Sequence, residues 1–366
     1  MTDKAAAHAF MSEPHPSPVD PDDREKLISD PGFGRVFTDN MASARYHEGK
    51  GWHDAKITPR ASLTLDPATA VLHYAQEIFE GMKAYRLADG AMALFRPDAN
   101  AARFNESARR MAMPDFPKQM FIESVNALVR SDANWFPPVE GGAIYLRPFM
   151  FASEVFLGVK PSAEYRYLVI ASPVGGYFKS GAPAITVWNS KHYTRAAPGG
   201  TGAAKCGGNY AASLIAQAEA TKHGCDQVVF LDAVERRWIE ELGGMNLFFL
   251  FDDGRIITPP LDGTILAGIT RDSVITLAKE AGLDVREEAY AIDQWEADAK
   301  SGKLTETFAC GTAAVVTPVG KVASAGGEFT IGAGGPGQVT QMLKNQLVAI
   351  QRGEAEDRHG WVHRIG

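Results

Sequence analysis

Cysteine is scarce in this chain: there are three, Cys206, Cys225 and Cys310. The number is odd and no CxxC pair occurs. That argues against a disulfide framework and a structural zinc site, and it fits a reducing cytoplasm. No metal site is expected. Long apolar runs are missing too. Nothing approaches the roughly 20 residues that a membrane helix needs. Basic charge is not in excess. The formal net charge is -7 over 366 residues, which argues against a general affinity for nucleic acid or anionic membrane. A small anionic ligand is still possible on a few local arginines. The N-terminus lacks the charged-then-apolar order of a signal peptide. No GxxxxGK[ST] phosphate loop is present, and no internal repeat is visible.

What is there reads as an ordinary globular protein, 45% hydrophobic and 22% charged, with 36 glycines. The length suits about two domains. Residues 1–30 contain the Pro- and Asp-rich EPHPSPVDPDDREK and read as a flexible tail. Residues 31–174 read as a first, smaller α/β domain. The Gly-, Ser- and Pro-dense SPVGGYFKSGAP marks a linker at 175–185, and 186–366 form a second, larger domain. In the first domain, RVFTDNMASARYHEG, KGWHDAKITPRASLTL, MALFRP, AIYLRPFMFAS and YRYLVIASPV read as strands. DPATAVLHYAQEIFEGMKAYR reads as one helix, with Asp66 as cap and Pro67 in its first turn. NAARFNESARRMAM and FIESVNALVRSDANWF are further helices. In the second domain AITVWNS, QVVFLDAVERRWIEE and MNLFFLFDDGRIITPP are strand-rich, and Asp-Gly between two β-rich runs predicts a hairpin. Helices follow at NYAASLIAQAEATKHG, TRDSVITLAKEAG and GQVTQMLKNQLVAIQRG. The whole is a two-domain mix of α and β.

The most unusual segment is GGTGAAKCGGNYAASL. Lys205 stands there among Gly199, Gly200, Gly202, Ala203, Ala204, Gly207 and Gly208. Small neighbours admit a flat cofactor or a second backbone. A desolvated lysine loses proton affinity, and a neutral amine can attack an aldehyde to form a Schiff base. A flexible glycine loop with an incidental lysine explains this segment equally well.

Six other segments break the tie: HYAQEIFEGMKAYR, LFRPDANAARF, YLRPF, EELGGMNLFF, PPLDGTILAGITR and CGTAAVVTPV. With GGTGAAKCGGNY they resemble, in the same order, the branched-chain-amino-acid aminotransferases, members of fold type IV of the pyridoxal-phosphate enzymes. The match runs from about Gly34 to Gly353. The resemblance implies a small N-terminal α/β domain and a larger C-terminal domain with a barrel-like β core. It implies pyridoxal 5′-phosphate on Lys205, which also serves as catalytic base. Glu241 then matches the acid at the pyridine nitrogen, and Tyr210 the tyrosine at the ring oxygen. Glu240, its neighbour on the strand, faces the other way and reads as solvated. Arg103 matches the phosphate arginine. Ile269 and Thr270, at a helix start, and Thr312 complete the phosphate pocket. Arg195 matches a position close to the cofactor.

For the substrate, the resemblance implies Tyr145 and Arg147, the arginine receiving the second carboxylate of glutamate. Phe37, Phe79 and Tyr177 match aromatic walls, and the main chain at Thr312 and Ala313 a holder for the α-carboxylate. Leu157 and Val159 match residues that reach a partner subunit's site, so a homodimer is implied. The implied reaction is transamination of L-leucine, L-isoleucine and L-valine with 2-oxoglutarate, between amino acids and 2-oxo acids as partners. Two departures stand out. Gly244 replaces a Ser or Thr that touches the phosphate in many relatives. Ala314 and Thr317 stand where animal members carry a CxxC pair, so no thiol switch is expected there. The rivals are a D-amino-acid aminotransferase or an aminodeoxychorismate lyase of the same fold, and a non-catalytic protein that binds a phosphorylated ligand.

Overall fold

The structure is a computed structural model and describes residues 10–12, 14–175 and 184–366. The chain divides into two compact units. One holds Met1–Lys179, Ala204–Gly207 and Ile350–Gly366; the other holds Ser180–Ala203 and Gly208–Ala349.

The first unit is built on a nine-stranded sheet. Its strands run Met11–Ser12, Gly51–Pro59, Asn40–His47, Glu164–Val174, Ala143–Ala152, Met82–Arg86, Met92–Phe95 and Val362–Ile365, and Glu77–Phe79 also pairs with Ala143–Ala152. Among the described residues of this sheet, only the first pair is parallel. The helices Pro97–Arg110 and Lys118–Ser131 bury apolar stripes that include Phe104, Phe121 and Val125. Phe104 and Phe121 meet the sheet at Tyr167, where Phe116 stacks at 3.9 Å between ring centroids. Such aromatic packing buries large area and fixes ring geometry.

The second unit contains a closed ring of six strands. In ring order they are Ile185–Asn189, Gln227–Leu231, Ile239–Leu242, Asn246–Phe251, Leu304–Gly311 and Val315–Ser324. The pair Glu241↔Asn246 joins two of these strands. Every residue of Asn246–Phe251 is buried, as befits a strand covered on both faces. The Asp-Gly hairpin forms as expected: Phe249 pairs with Ile257, and Gly254 takes the left-handed φ of +83° that the turn requires. A mixed α/β chain with a barrel-like core is what the sequence led us to expect.

Several local expectations are corrected. The single helix over residues 66–86 is absent. Only Val71–Tyr74 is helical, and Ala75, at φ +50°, ends it after one turn. Glu77–Phe79 and Met82–Arg86 are strands instead, because Ala143–Ala152 offers both of them a ladder. Non-local pairing outweighs helical periodicity there. The expected tail contains a helix, Pro21–Ser29, capped by Asp20 accepting from the Asp22 N–H at 2.9 Å. The last residues fold with the first unit, since Val362–Ile365 pairs with Met92–Phe95. A further helix, Ile292–Ser301, has no counterpart among the expected elements. Most of the expected linker, residues 176–183, lies outside the described residues, as do residues 1–9 of the tail.

That additional helix carries Trp295, fully buried, with ring centroids 5.1 Å from Phe249 and 5.7 Å from Phe329. Trp295→Ala should therefore destabilise the second unit by about 3–5 kcal/mol. Chemical denaturation followed by tryptophan fluorescence checks this, and a loss under about 1 kcal/mol would show that the helix contributes little.

Candidate active site

Lys205 is tied through its main chain. Its carbonyl accepts from the Phe79 N–H at 2.9 Å, and its N–H donates to Ser107 Oγ at 2.9 Å. Two residues on, the Gly207 N–H donates to the Glu77 carboxylate. These ties lay the lysine segment along the strand Glu77–Phe79 and the helix Pro97–Arg110. The Lys205 ammonium lies 4.8 Å from the centre of the Phe79 ring, and the Arg147 guanidinium carbon lies 4.6 Å from the same ring. Both distances suit cation–π attraction.

Tyr145 and Arg147 share one face of their strand. Arg147 Nη2 donates to the Tyr145 hydroxyl at 3.1 Å, while its buried Nε has no hydrogen-bond partner among the described residues. Gly81 makes room for Tyr145, because a Cβ there would overlap the hydroxyl. So the structure brings together four expected residues: Lys205, Phe79, Tyr145 and Arg147. It does not show Phe37 among them. Phe37 lies under the Arg60 guanidinium, and Phe33 takes the edge-on place against Tyr145 at 5.1 Å. Leu157 and Val159 stand 64% and 87% exposed on a loop whose Leu157 carbonyl accepts from the Tyr74 hydroxyl. Tyr177 lies outside the described residues.

Arg103 meets a carboxylate that no pattern in the chain singles out. Its Nε and Nη2 donate to Glu80 at 2.7 and 2.8 Å, a bidentate pair. Asn100 Nδ2 adds a bond at 2.8 Å. Burial alone would push the Glu80 carboxyl up, but Arg103, then Lys205 and Asn100, hold it below the ordinary carboxylate range. Glu80 sits in FEGMK, where only the fold reveals its partner.

In the second unit Glu241 is 3% exposed. It pairs with Arg195 and accepts from the Leu266 N–H at 3.2 Å and from Asn246 Nδ2 at 3.4 Å. Arg195 Nη2 also donates to the Gly202 and Thr264 carbonyls at 2.9 and 3.0 Å. Its buried Nε has no hydrogen-bond partner among the described residues. Glu240 is not solvated as expected. All four residues of Ile239–Leu242 are buried, because both faces of the strand are covered. Burial pushes the Glu240 carboxyl up. Tyr210 lies in the helix Gly207–Lys222, and a Cβ on Gly244 would meet its ring at 3.7 Å, an ordinary contact. Nothing steric therefore requires glycine at 244.

Ile269 and Thr270 open the helix Ile269–Glu280, with Gly268 at the cap position. A Cβ on Gly268 would collide with Asn246 Oδ1. Thr312 and Ala313 lie in the turn between Leu304–Gly311 and Val315–Ser324. Val315, which closes that turn, has φ +61°. A β-branched residue rarely adopts that angle, and such strain gathers at functional sites. Among the described residues, no group of three or more His, Cys, Asp or Glu could hold a metal ion, and no helix is long and apolar enough to cross a membrane.

Comparison with known proteins bears on this arrangement. The profile of the amino-transferase class IV family matches residues 77–322, more than half of the chain. The chain belongs to that family. Among its relatives is the branched-chain-amino-acid aminotransferase of Mycolicibacterium smegmatis, 56% identical over 93% of this chain and 94% of that protein. The probable branched-chain-amino-acid aminotransferase of Streptomyces coelicolor is 54% identical over 96% and 98%. Among solved structures, the Escherichia coli branched-chain amino acid aminotransferase superposes with a TM-score of 0.74 at 30% identity, over 89% of this chain and all of that one.

All three cysteines are buried and free. Burial pushes the Cys310 thiol up to about 12, beyond the range where a thiolate forms at neutral pH. Native protein should resist alkylation at Cys310 until it is unfolded. Rapid labelling of the native chain by iodoacetamide, or a reversible oxidative loss of activity that Cys310→Ser abolishes, would contradict this. Lys83, opposite Tyr145 in the ladder, is 8% exposed. Burial, and then the Arg352 charge, push its ammonium down to about 8. An unfolded lysine keeps its proton to roughly pH 10.4. Between these values the unfolded chain binds more protons, so stability from this group should rise with pH, by up to about 3 kcal/mol. Denaturation midpoints at pH 8 and 10 check this: the rise should shrink in Lys83→Met.

Proposed function

We propose that this chain transfers the amino group of L-leucine, L-isoleucine or L-valine to 2-oxoglutarate, with pyridoxal 5′-phosphate held on Lys205. The products are the branched-chain 2-oxo acids and L-glutamate. The observation that carries this reading is the Lys205 environment: a backbone clamped on both sides and an amine at Phe79, whose ring also touches Arg147. The names of the relatives favour it over the other activities that share the fold.

The residues present fit the cofactor. Glu241 is a buried carboxylate with its donors already in place, suited to pair with a pyridinium. Arg195 keeps a buried Nε with no partner among the described residues. The helix start at Ile269 and Thr270 has glycine at its cap, so the cap position brings no side chain of its own to compete with an anion. When bound, the cofactor supplies an aldehyde for an amine to join and a ring that accepts electrons.

The chain's residues then divide the work. Lys205 Nζ takes the proton from the substrate Cα and holds it for return. With the cofactor bound, Glu241 would supply the negative charge for its pyridine nitrogen, and Tyr210 would supply a donor for its ring oxygen. In the first unit Arg103, oriented by Glu80, is the residue assigned to the phosphate; in the second unit Ile269, Thr270 and the Thr312 hydroxyl are. Thr312 and Ala313 hold the α-carboxylate through their main chain. Phe79 walls the aliphatic side chain, and Tyr145 with Arg147 receives the second carboxylate of glutamate. We place the enzyme in the cytoplasm as a homodimer. Leu157 and Val159, with the exposed Leu72, Tyr74 and Val155, form the apolar surface that a second copy would cover.

Borohydride reduction of the loaded protein, followed by peptide mass mapping, should find the cofactor fixed on Lys205. Lys205→Ala should lower turnover by roughly 10²–10⁴-fold or more. L-Leucine should be a substrate and D-alanine should not. An adduct missing from Lys205 would sink the reading.

A further inference from the structure

In the proposed reaction one pocket takes an aliphatic side chain in one half and a carboxylate in the other. Arg147 suits the carboxylate. Beside an aliphatic chain, a guanidinium with an unsatisfied donor is unfavourable unless another group offsets its charge. The structure supplies such a group. Glu77 and Phe79 are two residues apart on one strand and share a face. Across the ladder Glu77 pairs with Phe151 and Phe79 with Phe149. Arg147 precedes Phe149 by two residues, so it lies on that face too. Glu77, Phe79 and Arg147 thus lie in a row on one face, Phe79 between the other two, with the guanidinium against the Phe79 ring and close enough for its charge to act on Glu77.

Glu77 is half-buried and its carboxylate accepts from the Gly207 N–H. Burial outweighs that N–H and the Arg147 charge, which both pull the other way, and leaves the carboxyl above the ordinary carboxylate range. Both neighbours favour the ionised form. A Cβ on Gly207 would run into this carboxylate, so the close approach needs glycine there.

We propose that Glu77 is a specificity-determining residue for the reaction proposed above. Its carboxylate offsets the Arg147 charge while an aliphatic side chain is bound, and it competes for that charge with the second carboxylate of a dicarboxylic substrate. The inference rests on that reading of Arg147. Specificity is a difference of two affinities, and one carboxylate here moves them in opposite directions. Without its charge, Arg147 would hold a dicarboxylate more tightly and an aliphatic acid less well. The tie to Gly207 is a separate duty, since any side-chain oxygen in that place can accept the N–H.

Glu77→Gln separates the two duties, because the amide oxygen still accepts and only the charge is lost. The measurement is the dissociation constant of glutarate and of 4-methylvalerate, by titration calorimetry on protein loaded with pyridoxal 5′-phosphate. Glutarate should bind about 5–20-fold more tightly to Glu77→Gln than to wild type, and 4-methylvalerate at least about 3-fold more weakly. In an Arg147→Met background the same change should alter neither constant. If Glu77→Gln does not fold, Glu77→Met, uncharged and of similar length, carries the test of the charge. Constants within two-fold of wild type, or weaker binding of glutarate, overturn the role of Glu77. Failure of wild type to bind either acid overturns the parent reading as well, which separates the two failures.

Discussion

Everything in the first unit's site depends on how the Lys205 backbone is held. The role proposed for Lys205, carrying a cofactor and moving a proton, needs a mobile side chain on a fixed main chain. Here the fixing is done by hydrogen bonds to three residues: the Phe79 N–H, the Ser107 hydroxyl and the Glu77 carboxylate. Ser107 lies one turn after Arg103 on the helix Pro97–Arg110, so one rigid element carries both the lysine's anchor and the arginine assigned to the phosphate. The small residues around Lys205 are what allow its segment to run so close to the strand Glu77–Phe79.

Buried charge is the second theme. Glu80 with Arg103, and Glu241 with Arg195, are ion pairs almost wholly removed from water. Such pairs add little stability over an apolar replacement, yet losing one partner typically costs about 3–5 kcal/mol, because the other charge is left buried. Their value is in orientation. A guanidinium gripped by a carboxylate on two nitrogens has one direction left in which to act. Asn246 shows how far such support extends. It joins two barrel strands through its pairing with Glu241, donates to the Glu241 side chain, and forces glycine at 268 ahead of the helix Ile269–Glu280.

Arg147 shows the same logic with less burial. It has an aromatic ring on one side, a hydroxyl on Nη2 and, among the described residues, no partner for its Nε. A group so arranged is tuned for an occupant yet is still able to tolerate its absence. The pocket proposed for two unlike side chains requires such a group.

The sequence by itself determined a good deal: seven ordered segments, the odd lysine at 205, the hairpin at Gly254 and the mixed α/β class. These are local patterns, and local chemistry marks them. Other features were invisible. The chain from Val71 to Arg86 has helical spacing, yet all but its first turn became strands or turn. Its fate depended on the pairing offered by Ala143–Ala152, some sixty residues away in sequence. Strand alternation and the resemblance told Glu241 from Glu240 but put Glu240 in solvent, and burial of both faces of their strand came only with ring closure. Glu77, Glu80 and Ser107 look like ordinary polar residues until their partners arrive. Backbone propensity and spacing are written along the chain. Strand pairing, ring closure and the desolvation of charge depend on contacts between distant segments, so only the tertiary structure decided them.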